Sequence, residues 1–139
     1  MIAYLDTSAV VKLYVTEEGS DSVRSEVSQA EAVATSTLGY AETRAALAAM
    51  ARNHELRSAE HQRAKAALES DWPQWVRISV TGAICKTAGE MAERHALRGS
   101  DAVHLACYLE AMRFAGENPV RFLSFDKRQL RAAQALVRG

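Results

Sequence analysis

Much is missing from this 139-residue chain. It contains no G-x-x-x-x-G-K-[ST] and no G-x-G-x-x-G, so the usual nucleotide cradles are unsupported. No G-x-S-x-G elbow presents a nucleophilic serine. The four histidines form no zinc spacing; His54 and His61 lie in a polar region that predicts solvation. His104 sits among Val103, Leu105 and Ala106, which predicts a packed or hydrogen-bonded histidine and not a ligand. The two cysteines, Cys85 and Cys107, lack C-x-x-C spacing and fall in helical patterns. Reduced, partly buried thiols in a reducing, cytoplasmic setting are expected. There is no basic N-terminal region and no long apolar stretch, so neither a signal peptide nor a membrane span is expected. Formal net charge is zero, and the chain as a whole does not advertise nucleic-acid binding. The local balance differs: from Arg113 onward six basic residues face two acids, a patch that suits phosphates or simply a solvated helix face.

What is present is an ordinary globular composition, 48% hydrophobic and 24% charged, of a length that fits one domain. Four short β-like runs, Ile2–Leu5, Val33–Ser36, Val76–Val80 and Val120–Phe125, alternate with longer helical ones. The helical stretches are 7–15, 20–29, 38–52, 58–72, 84–96, 100–115 and 128–137. Gly19, Gly99 and the Gly116 to Pro119 segment separate elements, and Pro73 is expected to end a helix near Trp72. Strands alternating with helices predict an α/β protein with a mostly parallel sheet. No repeat, low-complexity tract or interdomain linker interrupts it.

Four acids occupy costly positions. Asp6 ends the apolar run Ile2-Ala3-Tyr4-Leu5, Asp126 follows Phe125, Asp101 opens a helical stretch, and Glu42 interrupts one. At an effective dielectric of about 20, two like charges roughly 4 Å apart repel by about 4 kcal/mol. A cluster of such acids calls for a cation. Asp6, Asp101 (with Ser100) and Asp126 each have an alternative as helix N-terminal groups. Glu42 does not, since it lies inside its helix. Its neighbours Leu38, Gly39, Ala45 and Ala46 include no base, and it shares a row with Leu38, Ala41, Ala45, Ala48 and Ala49. In open α/β sheets ligands lie beyond the carboxyl ends of the strands, where Asp6 and Asp126 fall. Oxygen-only, carboxylate-rich sites suit Mg²⁺ or Mn²⁺.

These residues resemble the motifs of the PIN-domain ribonucleases, most nearly the VapC-type toxins of bacterial toxin–antitoxin pairs. Tyr4-Leu5-Asp6-Thr7-Ser8-Ala9-Val10 is similar to the first motif, and Ala41-Glu42-Thr43-Arg44 to the second. Ser100-Asp101-Ala102-Val103-His104-Leu105-Ala106 is similar to the third, and Leu123-Ser124-Phe125-Asp126 to the fourth. The resemblance covers nearly the whole chain and implies one PIN-like nuclease domain over residues 1–139. It implies a three-layer α/β fold whose four-stranded sheet, or five-stranded if a final strand follows the last helix, is flanked by about seven helices. It also implies Mg²⁺- or Mn²⁺-dependent hydrolysis of RNA. Asp6, Asp101 and Asp126 would hold the metal and Glu42 would assist, with Thr7, Ser100 and Ser124 hydrogen-bonding around them. A VapB-like antitoxin and a homodimer are the implied partners, with no membrane. The alternatives are a PIN nuclease of RNA maturation without an antitoxin, or an acid-pocket phosphotransfer protein. Against the second, Ser8 stands where a haloacid-dehalogenase pattern needs its next Asp, and no receiver-type Asp–Lys pair is evident.

Overall fold

The computed structural model describes residues 1–139. Four strands, β1 (Ile2–Leu5), β2 (Ala32–Ser36), β3 (Val76–Ile78) and β4 (Val120–Leu123), form one sheet in the order β3-β2-β1-β4. Every pairing is parallel: Ile2 lies opposite Ala32 and Val120, and Ala34 opposite Val76. There is no fifth strand. Seven α-helices connect and flank the sheet: α1 (Thr7–Tyr14), α2 (Ser20–Gln29), α3 (Thr37–Arg52), α4 (Ser58–Asp71), α5 (Gly82–His95), α6 (Gly99–Ala115) and α7 (Lys127–Arg138). None is long and apolar enough to cross a membrane.

The central strand shows how the layers arise. All of β1 is buried, and its alternate residues feed opposite cores, as the period of two dictates. Ile2 and Tyr4 join the cluster built with α5, α6 and α7. Ala3 and Leu5 join Ala9, Val10, Val23 and Leu68 of α1, α2 and α4. A smaller cluster, Val11, Val15, Leu47, Leu56 and Ala64, ties α3 to α1 and α4. Since β1 pairs with β2 on one side and β4 on the other, the chain reverses its order across the sheet at β1. The carboxyl ends of β1 and β4 flank this switch point, where such sheets hold ligands.

Several boundaries depart from expectation for local reasons. β4 stops at Leu123, short of the expected Phe125, because the Ser124 side chain turns inward and the Phe125 N–H bonds to Ser8 Oγ (3.3 Å). β3 stops at Ile78, short of Val80, whose N–H turns to Thr37 Oγ1. Pro73 does not simply end α4; it sits in a 3-10 helix, Trp72–Gln74, that carries the chain into β3. The row Leu38, Ala41, Ala45, Ala48 and Ala49, apolar in sequence, is not the buried face of α3. Ala41 and Ala45 are exposed, and the buried face is Gly39, Thr43 and Leu47. Alanine is too small to define an apolar face by pattern alone, and α3 docks where Gly39 allows close approach. The thiols are free as expected, but Cys85 is exposed on α5 and only Cys107 is buried.

Candidate active site

A cavity of about 500 Å³ opens at the carboxyl edge of β1 and β4. Asp6, Glu42, Asp101 and Asp126 all line it, with Thr7, Ser8, Lys12, Glu17, Arg98, Ser100, His104 and Phe125. Each acid arrives by a short, stiff route. Asp6 directly follows β1, and its N–H still bonds to Leu123 C=O (3.1 Å), so the ladder fixes its backbone. Its side chain caps α1 by accepting from Ala9 N–H (2.9 Å). Asp126 caps α7 in the same way, accepting from Gln129 N–H (2.9 Å). Asp101 stands in the first turn of α6, where a negative charge complements the helix dipole. Glu42 projects from the second turn of α3. Capping and cavity lining are therefore not rival roles for Asp6 and Asp126; both hold at once.

The environments of the acids differ sharply. Asp6 is 5% exposed and forms no ion pair, although Ser8 Oγ donates to Oδ1 (2.7 Å) and Ser124 Oγ lies 2.7 Å from Oδ2. Burial dominates, and its pKa is raised despite these bonds from Ser124, Ser8 and Ala9. Ser124 also lies 2.9 Å from Gln129 Oε1, so one hydroxyl proton serves two acceptors, while Gln129 Nε2 donates to Asp101 C=O. Burial also opposes charge on half-buried Glu42. There, however, hydrogen bonds from His104 (2.8 Å) and Thr7 (2.7 Å) prevail and hold the carboxyl below its ordinary range. Asp101 pairs with Arg98 (3.0 Å), whose side chain is 80% exposed at the rim. Lys12 pairs with Glu17 and lies over the Phe125 ring.

Of the residues singled out in the sequence, all four acids and Thr7 and Ser100 line this cavity, and buried Ser124 lies behind it against Asp6. Thr7 and Ser124 bond to acids, whereas Ser100 only lines the wall. No three acidic, histidine or cysteine side chains converge as a ready-built ion cage. The reason is visible: each carboxylate is turned toward a protein donor of its own. The donor set still fits a hard divalent cation. It offers carboxylate oxygens only, and buried Asp6 carries a charge that no lysine or arginine neutralises.

Sequence reading passed over Ser8, Arg98, Gln129 and the hydroxyl of Tyr4. Ser8 could have been found from Asp-x-Ser at a helix start, and Arg98 from its position three residues before Asp101. His104 is packed and hydrogen-bonded, as its apolar neighbours suggest.

The PIN domain family model matches residues 3–135. The chain belongs to the PIN-domain family. It is 44% identical over 108 residues to Ribonuclease VapC45 and to Ribonuclease VapC49 of Mycobacterium tuberculosis, an alignment covering 78% of this chain and 75% of each relative. Among solved structures, this PIN domain superposes on Mycobacterium tuberculosis VapC20, a Sarcin-Ricin loop cleaving toxin, with a TM-score of 0.61. The identity is 22%, and the match covers 89% of this chain and 91% of that one. FitAcB from Neisseria gonorrhoeae gives a TM-score of 0.65 at 17% identity, covering 96% and 94%. At these identities the structures establish the fold, a three-layer α/β domain with a four-stranded parallel sheet.

Proposed function

We propose that this PIN domain is a divalent-metal-dependent endoribonuclease of the VapC type, the toxin of a toxin–antitoxin pair. The observation that carries the reading is the meeting of Asp6, Glu42, Asp101 and Asp126, from four separate segments, around one cavity at the sheet's switch point. The likeness to two VapC ribonucleases supports it, and that similarity spans most of the chain.

Asp6, Asp101 and Asp126 would hold the cation, Mg²⁺ or Mn²⁺, with Glu42 beside them. Such an ion supplies charge neutralisation and acidifies water for attack on phosphorus. The protein's own part is placement. Ser8, Ser124 and the Ala9 N–H hold the Asp6 carboxylate facing the cavity, and burial leaves that charge in need of a cation. Glu42, kept ionised by His104 and Thr7, is suited to binding a cation or orienting water more than to storing a proton. Arg98 and Lys12 place positive charge on the cavity wall, where a phosphodiester would lie. In the reaction a water oxygen bonds to phosphorus as one P–O ester bond breaks, leaving two RNA ends.

A VapB-like antitoxin and a second copy of the chain complete the proposed partners, in a cytoplasmic setting. Incubating the purified protein with total RNA and Mg²⁺ or Mn²⁺, with and without EDTA, tests the reading. Discrete, mappable cuts that vanish with EDTA are expected. No cutting with either ion would overturn the nuclease, and cutting undiminished by EDTA would overturn the metal.

A further inference from the structure

His104 is 2% exposed, yet one edge of its ring reaches the cavity and the other reaches deep into the core. Its Nε2 lies 2.8 Å from Glu42 Oε1 and 3.0 Å from Thr7 Oγ1. Its Nδ1 lies 3.0 Å from the hydroxyl of Tyr4, a fully buried residue of β1 on the far side from solvent.

Hydrogen-bond chemistry fixes which way this chain of contacts runs. An ionised Glu42 can only accept. Thr7 Oγ1 spends its single hydrogen on the same Glu42 oxygen, at 2.7 Å, and so presents only lone pairs to the ring. Both neighbours of Nε2 are therefore acceptors, and Nε2 carries the ring hydrogen. In a neutral ring Nδ1 is then a lone pair, and it faces a hydroxyl that donates. A tyrosine phenol keeps its hydrogen at neutral pH and so has one to give. The order is Tyr4 O–H to Nδ1, then Nε2–H to Glu42.

We propose that His104 is a positioning residue for Glu42, and that the Tyr4 hydroxyl braces its ring from the other edge. Histidine ligands of metals are held by a partner on their other nitrogen in the same manner, and losing such partners typically costs about 10- to 100-fold. Here the arrangement orients a carboxylate instead. Three elements meet in it, since Tyr4 belongs to β1, Glu42 to α3 and His104 to α6. Gly39, one turn before Glu42, lets α3 come close enough: a Cβ there would stand 3.5 Å from His104 Cε1 and 2.9 Å from Thr35 Oγ1.

The inference rests on the nuclease reading for its kinetic part, and its spectroscopic part stands without that reading. The ring nitrogens of His104, followed by ¹⁵N NMR in the wild-type protein, should show hydrogen on Nε2 and an accepting Nδ1. Tyr4→Phe keeps the ring and removes the hydroxyl. It should leave hydrogen on Nε2 but remove the hydrogen bond at Nδ1, seen as a shift of that ¹⁵N resonance, and lower kcat about 10-fold, with the KM for RNA within about twofold of wild type. His104→Leu should lose at least as much. His104→Gln, whose amide N–H₂ can reach toward Glu42, should recover part of the loss. Hydrogen on Nδ1 in the wild type would overturn the proposal without any variant. So would Tyr4→Phe with kcat unchanged, or a glutamine variant no better than leucine at equal thermal stability. An inactive wild type with the expected tautomer would instead count against the nuclease reading.

Discussion

Asp6 and Glu42 share a cavity and respond to pH in opposite senses. Asp6 has a folded pKa raised above its ordinary value near 3.8, because burial disfavours its charge. Its contribution to stability is complete below that value and is lost as pH rises through the folded pKa. Glu42 has a folded pKa below its ordinary 4.5, so its contribution is complete above 4.5 and is lost as pH falls through the folded value. Melting curves of the metal-free protein between pH 3 and pH 8 (roughly the span around ordinary carboxylate values) should show this. Asp6→Asn should remove a fall in stability with rising pH, and Glu42→Gln a fall with declining pH. At neutral pH Asp6→Asn keeps volume and removes a poorly solvated charge. The metal-free variant should therefore melt higher than wild type while RNA cleavage drops by on the order of 100-fold or more. Full Mg²⁺-dependent cleavage by Asp6→Asn would remove Asp6 from the site. At this scale the acids were legible from sequence, because charge at a strand end or inside a helix is conspicuous. Their partners were not. The positions one turn either side of Glu42 on its own helix hold no base, and His104 reaches it from 62 residues away.

Among the elements, α3 is the one whose placement matters most for the site. It lies against β2 through Gly39, with Thr35 Oγ1 donating to Leu5 C=O (2.7 Å) directly beneath. Gly39→Ala would gain about 1 kcal/mol of helix propensity. It would also press a methyl group on that hydroxyl, and overpacking costs about 1–3 kcal/mol. A net loss of about 1 kcal/mol in urea denaturation is expected, with a several-fold fall in cleavage rate as Glu42 is displaced. Stability equal to wild type would mean that α3 shifts freely. The order of strands and helices was readable from the alternation of runs, but their ends were not. β3 and β4 are shorter than their apolar runs because side chains of Thr37 and Ser8 capture amides that would otherwise continue the edge. The buried face of α3 is not readable from its apolar row, because alanine marks neither face.

For the molecule as a whole, the acids make the metal-free state carry unbalanced charge at one edge of the sheet. A divalent ion that binds only the folded form adds stability by mass action, about 2.7 kcal/mol at 100 times its Kd. For a chain of this length that corresponds to a rise in Tm of about 10 °C. Thermal shift at constant ionic strength should show it with Mg²⁺ or Mn²⁺ and lose most of it in Asp6→Asn. An equal shift in that variant would place the ion elsewhere. The sheet order also bears on when the protein becomes active during synthesis. The first strand made is the central one, and its partner on one side is the last strand made. Asp6 and Ser124, which bond in the finished site, are 118 residues apart. Until β4, α7 and Asp126 have emerged from the ribosome, the hydrogen-bonding edge of β1 stays unpaired. Such long-range pairing is slow and comes late in folding. The nascent protein is thus adhesive before its site exists, and the site is assembled only once β4 and Asp126 have been made.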